Sequence, residues 1–273
     1  MKNNKPLLQD KAALVTGAAG AIGYGVCDAL LENGCLVAAS DLAGEKLDSF
    51  TKDIDDLAPG RSAGFVMDVT DKKSVTDCFD SVLDKFGRLD IIVHNAGIAH
   101  VSKIIDMDIE DFRRLERVNI EGTLLVLAEA GRCFVNHNVE GDIIIMSTKN
   151  VPSPSAGFGA YSATKAACHQ LGRIASIEFA EHGIRVNMIA PDAVFSSGSY
   201  KSGLWQQVGA ERMKARGLDE KGLQDYYRNR NLLKATVTAR DVANAVLFFA
   251  SRQTPTTGAT IPVDGGLPDA TPR

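Results

Sequence analysis

Short apolar runs alternate with longer stretches of helical period along most of the chain. Ala12 to Val15 reads as a buried strand, Ala21 to Leu31 repeats its apolar residues at helical spacing, and Leu36 to Ala39 is strand-like again. A helix beginning near Gly44 follows, then a strand at Gly64 to Met67, a helix at Lys73 to Phe86 and a strand at Ile91 to Val93. The series continues with helix Ile109 to Phe134, strand Ile143 to Met146, helix Ala160 to Ala180 and strand Arg185 to Ile189, and closes with helix Ala239 to Phe249 and strand Thr260 to Val263. Strands that are short and apolar throughout, each followed by a helix, suit a parallel sheet covered on both faces.

No linker, repeat or charge block divides the pattern, so a single α/β domain is expected over residues 1–273. One stretch breaks the rhythm. From Pro191 to Arg230 the chain is polar, and Gly198, Gly203, Gly209 and Gly217 interrupt its helical pieces. A long insertion after a strand's carboxyl end is where an open α/β sheet places substrate contacts, so 191–230 reads as a substrate lid.

Composition narrows the setting. With 45% hydrophobic residues among 273, the chain can bury a substantial core. A formal charge of −4 leaves no basic excess for gripping nucleic acid. The opening MKNNKPLLQDK holds no apolar stretch of signal-peptide length, and no run approaches the roughly 18 apolar residues of a membrane span. Five cysteines without CxxC spacing fit a reduced cytoplasm and look like small core residues. His94 and His100 have no third ligand at metal spacing, so no metal is expected.

Three places carry candidate chemistry. After the first strand comes Thr16-Gly17-Ala18-Ala19-Gly20-Ala21-Ile22-Gly23, opening a helix. Glycines there let backbone N–H groups approach a pyrophosphate at the helix N-terminus. Asp41, at the end of the second strand, can accept hydrogen bonds from an adenosine ribose diol and would repel a 2′-phosphate, which favours NAD over NADP; alternatively it caps the next helix. Tyr161 and Lys165 stand at i and i+4 on one helix face. An ammonium roughly 4 Å from the phenol contributes about 4 kcal/mol at an effective dielectric near 20, equivalent to about three pKa units, which would bring the phenol near 7 before any desolvation penalty.

Taken in order, these residues resemble the short-chain dehydrogenase/reductase family from roughly Asp10 to Leu267. The glycine turn is similar to the family's TGxxxGxG, Asn95-Ala96-Gly97 to its NAG, Asn119 to its mid-helix asparagine, and Tyr161 with Lys165 to its YxxxK. The resemblance implies a Rossmann domain with strand order 3-2-1-4-5-6-7 and an NAD-dependent oxidoreductase acting on a CH–OH group. It also implies a homotetramer formed through 109–134 and 160–180. Tyr161 would be the proton acceptor, Lys165 would tune it and hold the cofactor ribose, and Asn119 would hold a water in a relay to Lys165. Gly17, Ala19, Gly20, Ala21, Ile22 and Gly23 would surround the pyrophosphate, with Asp41 and Leu42 at the adenosine ribose. Asp68 and Val69 would flank the adenine, and Asn95, Ala96, Gly97, Tyr161, Lys165, Pro191, Ala193 and Val194 would line the remainder of the cofactor site.

The chain departs from the family pattern at three points. The middle glycine falls one position early, leaving Ala21. The usual serine pair is Ser147-Thr148; register favours Thr148 and residue type favours Ser147 as the hydroxyl that polarises the carbonyl. The usual Pro-Gly is Pro191-Asp192, and Asp192 would bond the hydroxyls of a polyol or cap a turn. Thr148, Asn150, Tyr161, Asp192, Phe195 and Trp205 are the candidate substrate residues, with Trp205 closing over the substrate or packing the insertion. Arg228 and Arg230, with Lys201, would bind an anionic substituent or pair with acids such as Asp225. Within the family the chain is similar to the dehydrogenase half of bacterial rhamnulose-phosphate aldolase/dehydrogenase fusions and to sugar and polyol dehydrogenases, which implies a small hydroxylated substrate: a sugar, sugar acid, polyol or lactaldehyde-like compound. A 3-oxoacyl or ketone reductase and a non-catalytic NAD-binding regulator are the alternatives.

Overall fold

The computed structural model describes residues 6–197 and 200–268. Met1 to Lys5 of the N-terminal segment and Gly198 of the insertion lie outside them. Strands β1 (Ala12–Thr16), β2 (Leu36–Asp41), β3 (Ser62–Val66), β4 (Ile91–His94), β5 (Asp142–Met146) and β6 (Arg185–Pro191) alternate with helices α1 (Ala21–Glu32), α2 (Glu45–Leu57), α3 (Lys72–Phe86), α4 (Ile109–Leu115), α5 (Gly122–Asn136) and α6 (Gly159–Glu178). A two-stranded hairpin of β7 (Ser196–Ser197) and β8 (Tyr200–Lys201) then leads to α7 (Gly203–Arg216), α8 (Glu220–Arg230), α9 (Ala239–Ala250) and β9 (Thr260–Val263). The main sheet runs β3-β2-β1-β4-β5-β6-β9, all neighbours parallel, which is the expected order once the hairpin strands are counted apart.

Alternation along the strands divides the core. Ala13 and Val15 face one layer with α1 and α9, while Leu14, Ile92, Ile143 and Ile145 face the other with α3, α5 and α6. The expected helix from Ile109 to Phe134 is interrupted: Glu116–Glu121 forms a π turn between α4 and α5. One inserted residue shifts the apolar phase by about 100° at a single point, which the average period over 109–134 does not reveal; π turns recur at functional sites.

At the amino ends of the strands, charges are paired. Asp90 accepts the Ala12 N–H at 2.9 Å and both Nε and Nη2 of Arg88. Asp142, its side chain 3% exposed, accepts Nε of Arg185 and Nε of Arg252, each at 2.7 Å. The opposite, carboxyl ends of the strands are left to form a cleft.

Candidate active site

The cleft, about 390 Å³, opens where β1 gives way to α1. Gly17 there adopts φ +61°, and a Cβ on it would lie 2.8 Å from the Ala96 Cα, so the turn admits only glycine. Helix α1 begins after Gly20 with no side chain capping it, which leaves its first N–H groups to a ligand. Asp41 accepts the Ala19 N–H at 3.0 Å through one carboxylate oxygen and the Leu42 N–H at 2.9 Å through the other. It does not cap α2, which starts after Gly44 without a capping side chain. Each oxygen retains a lone pair toward the cleft that Asp41 lines.

A buried polar chain joins the glycine turn to the centre of the site. The Thr16 hydroxyl accepts the N–H groups of Asn95 (3.1 Å) and Ala96 (2.9 Å), so it must donate to Nδ1 of His94 at 3.1 Å. That assigns the proton of His94 to Nε2, which donates to Oγ1 of Thr123 at 3.0 Å. Burial, reinforced by the Lys165 charge, pushes the pKa of His94 down to about 3, so this imidazole stays neutral. Thr123 donates in turn to the carbonyl of Asn119 in the π turn, and the Cys168 thiol donates to the same oxygen. Thr16, His94 and Thr123 escaped sequence reasoning because each is unremarkable alone; only the register pairing Thr16 with His94 brings them together.

Asn119 is fully engaged. Its side chain accepts from the Ile98 N–H and donates to the Ile98 carbonyl and to Thr164, each at 3.0 Å, which holds the Asn95–Ile98 turn against α6. A water on a path to Lys165 would therefore have to share an acceptor already in use. Lys165, buried, donates to the Met146 carbonyl at 2.9 Å, and a Cβ on Gly97 would come within 3.2 Å of its Nζ. The absence of that Cβ is what leaves room between the ammonium and the cleft.

Thr148 makes a hydrogen bond to the Tyr161 hydroxyl, whereas the Ser147 hydroxyl bonds Nδ1 of His169 at 3.0 Å. Adjacent residues leaving a strand point to opposite sides, and the structure puts Thr148 on the tyrosine side. The expected lowering of the phenol is not found. Burial drives the pKa of Tyr161 up to about 12, with only the Thr148 hydrogen bond opposing, while the Lys165 ammonium is engaged at Met146.

Most candidate cofactor residues line the cleft: Gly17, Gly20, Ala21, Ile22, Asp41 and Leu42 at one end, Asp68 and Val69 beside them, and Asn95, Ala96, Gly97, Pro191, Ala193 and Val194 further along. Ala19 and Gly23 do not; they lie beneath the turn, and a Cβ on Gly23 would fall 2.4 Å from the Ala18 carbonyl. Asn150, Asp192 and Trp205 line the far end. Phe195 is displaced from the cleft because it stacks behind Trp205, rings 4.5 Å apart, with Tyr227 edge-on to both. Trp205 thus both faces the cleft and packs the insertion. Asp192 caps no turn: Arg230 clamps both of its oxygens, while Arg228 pairs with Asp225 at the surface. His100 pairs with Asp111, and no group of metal-binding side chains occurs among the described residues.

Comparison with known proteins adds a lineage. Residues 17–268 match a family model described as enoyl-(acyl carrier protein) reductase. The chain is 34% identical over 265 residues to the uncharacterized oxidoreductase YuxG of Bacillus subtilis, covering 96% of this chain but only 38% of that protein. It is 32% identical over 260 residues to the L-2,3-butanediol dehydrogenase of Corynebacterium glutamicum, covering 94% of this chain and 98% of that one. Among solved structures, sorbitol-6-phosphate 2-dehydrogenase SrlD from Erwinia amylovora superposes with a TM-score of 0.85 at 29% identity, over 93% of this chain and 98% of that one.

Proposed function

Since the chain belongs to the short-chain dehydrogenase/reductase family, we propose that it is an NAD-dependent oxidoreductase interconverting a secondary alcohol and a carbonyl on a small hydroxylated substrate. The observation that carries this reading is the meeting of Thr148, Tyr161 and Lys165 at one cleft whose other end is the uncapped start of α1. The residues fit a dinucleotide: Gly17, Gly20 and Gly97 leave its path clear of Cβ atoms, and Asp41 offers two oxygens where a ribose diol would lie. A bound nicotinamide supplies the acceptor for the electron pair leaving the carbinol carbon.

The protein's own part is proton transfer and positioning. Thr148 Oγ1 orients the substrate oxygen, Tyr161 in its phenolate form takes the hydroxyl proton and becomes the neutral phenol, and Lys165 stabilises the phenolate that precedes that transfer. Asn119 acts through Ile98 as a positioning residue. Related proteins named for butanediol and sorbitol 6-phosphate support a polyol or sugar-derived substrate. The similarity to a fusion's dehydrogenase half rests on sequence resemblance, as does a homotetramer, which the exposed Leu124 on α5 and Ile174 and Ile177 on α6 would suit. Five free, buried cysteines fit a cytoplasmic setting. No helix among the described residues is long and apolar enough to cross a membrane.

A panel of polyols, aldoses, short diols, 2-hydroxy acids and sugar phosphates, followed by the absorbance of newly reduced NAD, tests the reading. Turnover on a hydroxylated compound supports it. Activity confined to 3-oxoacyl thioesters with NADPH would replace it with the acyl reductase suggested by the family description. Nucleotide binding with no turnover anywhere would leave a non-catalytic regulator.

Cofactor choice has its own test. Asp41→Ala removes both the acceptor for the ribose and the anchor of Ala19, so it also loosens the glycine turn. Asp41→Asn is the milder change, since it loses the charge and keeps one acceptor oxygen, which can still hold the Ala19 N–H while the Leu42 N–H loses its partner. Calorimetric titration is expected to show NAD affinity lowered about tenfold in Asp41→Asn, with NADP unchanged or improved. Equal weakening of both nucleotides would make Asp41 a purely structural residue.

A further inference from the structure

At the substrate end of the cleft Lys149 is backed by Arg212, Arg216 and Arg230, which do not themselves line it, and of these arginines Arg230 alone is paired with an acid there. Lys149 follows Thr148 directly and lines the cleft, yet it is only 5% exposed. Its ammonium donates to the Ser155 hydroxyl at 2.9 Å and the Ser153 carbonyl at 3.3 Å, which leaves one of its three N–H bonds unassigned. Arg212, Arg216 and Arg230 stand close enough to act on it, against a single carboxylate, Asp192. That carboxylate is already clamped by Arg230. Arg212 is 3% exposed; it bonds the Ala156 carbonyl and the Tyr227 hydroxyl and lies over the Phe158 ring, 4.6 Å from its centroid, but its Nε has no hydrogen-bond partner, and Arg216 stacks on Tyr226. Among the described residues no acid pairs with Lys149, Arg212 or Arg216. A buried cation without a counter-charge is costly, and a site that keeps several of them is built to receive the counter-charge from a ligand.

We propose that Lys149, backed by Arg212, Arg216 and Arg230, is a specificity-determining anion subsite, so that the preferred substrate carries a carboxylate or phosphate beside the alcohol that reacts. This rests on the reading of the cleft as an alcohol dehydrogenation site. Lys149 then acts as a point charge and the side chains of Asn150 and Ser155, which bond each other at 3.4 Å, supply neutral contacts. Asp192 has a different part from the polyol acceptor expected of it: it holds Arg230 in place. Burial and the three guanidinium groups push the pKa of Lys149 down to about 8, Asp192 opposing, so the subsite is charged at neutral pH and loses charge as pH rises through 8.

The test compares neutral polyols with sugar acids and sugar phosphates, with saturating NAD, for the wild type, Lys149→Met and the charge-retaining Lys149→Arg. Wild type is expected to favour one anionic arm over its neutral counterpart by about 10- to 100-fold in kcat/KM, chiefly through KM. The arm preferred identifies the anion as carboxylate or phosphate. In Lys149→Met the two substrates should come within about threefold of each other, and Lys149→Arg should restore much of the difference. The wild-type preference should shrink above pH 8, a step missing from Lys149→Met. Equal use of neutral and anionic substrates by wild type, or a preference that survives in Lys149→Met, would overturn the subsite. Should no alcohol turn over, the dehydrogenase reading fails separately. Inorganic phosphate then decides the subsite: stabilisation of the wild type against heat, lost in Lys149→Met, supports it, and equal effects on both proteins reject it.

Discussion

Tyr161→Phe is expected to lower kcat by about 10²- to 10⁴-fold while leaving NAD affinity and the melting temperature nearly unchanged. The phenol oxygen is the one group at the cleft placed by Thr148 to exchange a proton with the substrate, and phenylalanine keeps the ring that packs against Phe158, centroids 5.7 Å apart. Burial holds the phenol well above its ordinary range, at about 12, so at neutral pH it carries its proton. Acting as the base in alcohol oxidation, it must first give that proton up. Oxidation should therefore accelerate with pH across the neutral range, and the reverse reaction, in which the same group is the acid, should not. Stopped-flow and steady-state rates between pH 6 and 9 would check both halves. Retention of more than about a tenth of wild-type kcat in Tyr161→Phe would remove this residue from the proton path.

Asp142→Ala should act on the fold instead. Its carboxylate is buried and receives Arg185 and Arg252 together; the guanidinium groups are themselves tied to carbonyls, Arg185 to Phe249 and Thr254, Arg252 to Gly141. Removing the acid leaves two partly buried cations with only the exposed Glu140 carboxylate, 3.4 Å from Arg252, to offset them. The loss is about 3–5 kcal/mol, the usual result of breaking rather than replacing a buried ion pair, or roughly 10 °C in melting temperature for a chain of this size. Urea denaturation followed by circular dichroism measures it. A change below about 1 kcal/mol would mean that water reaches the arginines and screens them.

Much of the sheet was legible because β1, β2, β4, β5 and β6 are largely apolar runs followed by segments of helical period, whereas β3 and β9 are mixed and partly exposed, and the strand order came with the family resemblance. Tyr161, Lys165 and the glycine turn were legible as spacings, and the Asn95–Gly97 turn through the family resemblance. Other features depend on contacts between residues far apart in the chain. Nothing in Pro191-Asp192 announces Arg230, 38 positions on, as the partner of Asp192. Which of Thr148 and Ser147 faces Tyr161 depends on the side of the strand each hydroxyl leaves, and Ser147 bonds His169 instead. The phenol's pKa departs from the expectation for a plainer reason: burial, which only the fold reveals, raises it, and the Lys165 ammonium is held at the Met146 carbonyl. Lys149 was passed over because one lysine in a polar turn resembles any other until the three arginines appear behind it.

Strand β5 carries both ends of this molecule. It starts at Asp142, among the arginines, and runs out just before Thr148 at the tyrosine, a span of roughly 20 Å for an extended segment. Groups that far apart with no shared partners are thermodynamically independent, and their substitutions add. Tyr161→Phe in an Asp142→Ala background should thus lose the same share of activity as it does alone. Directed evolution of the insertion and cleft can accordingly draw on stabilising changes made at the amino ends of the strands, because the reserve built at one pole is spent at the other without altering the chemistry there.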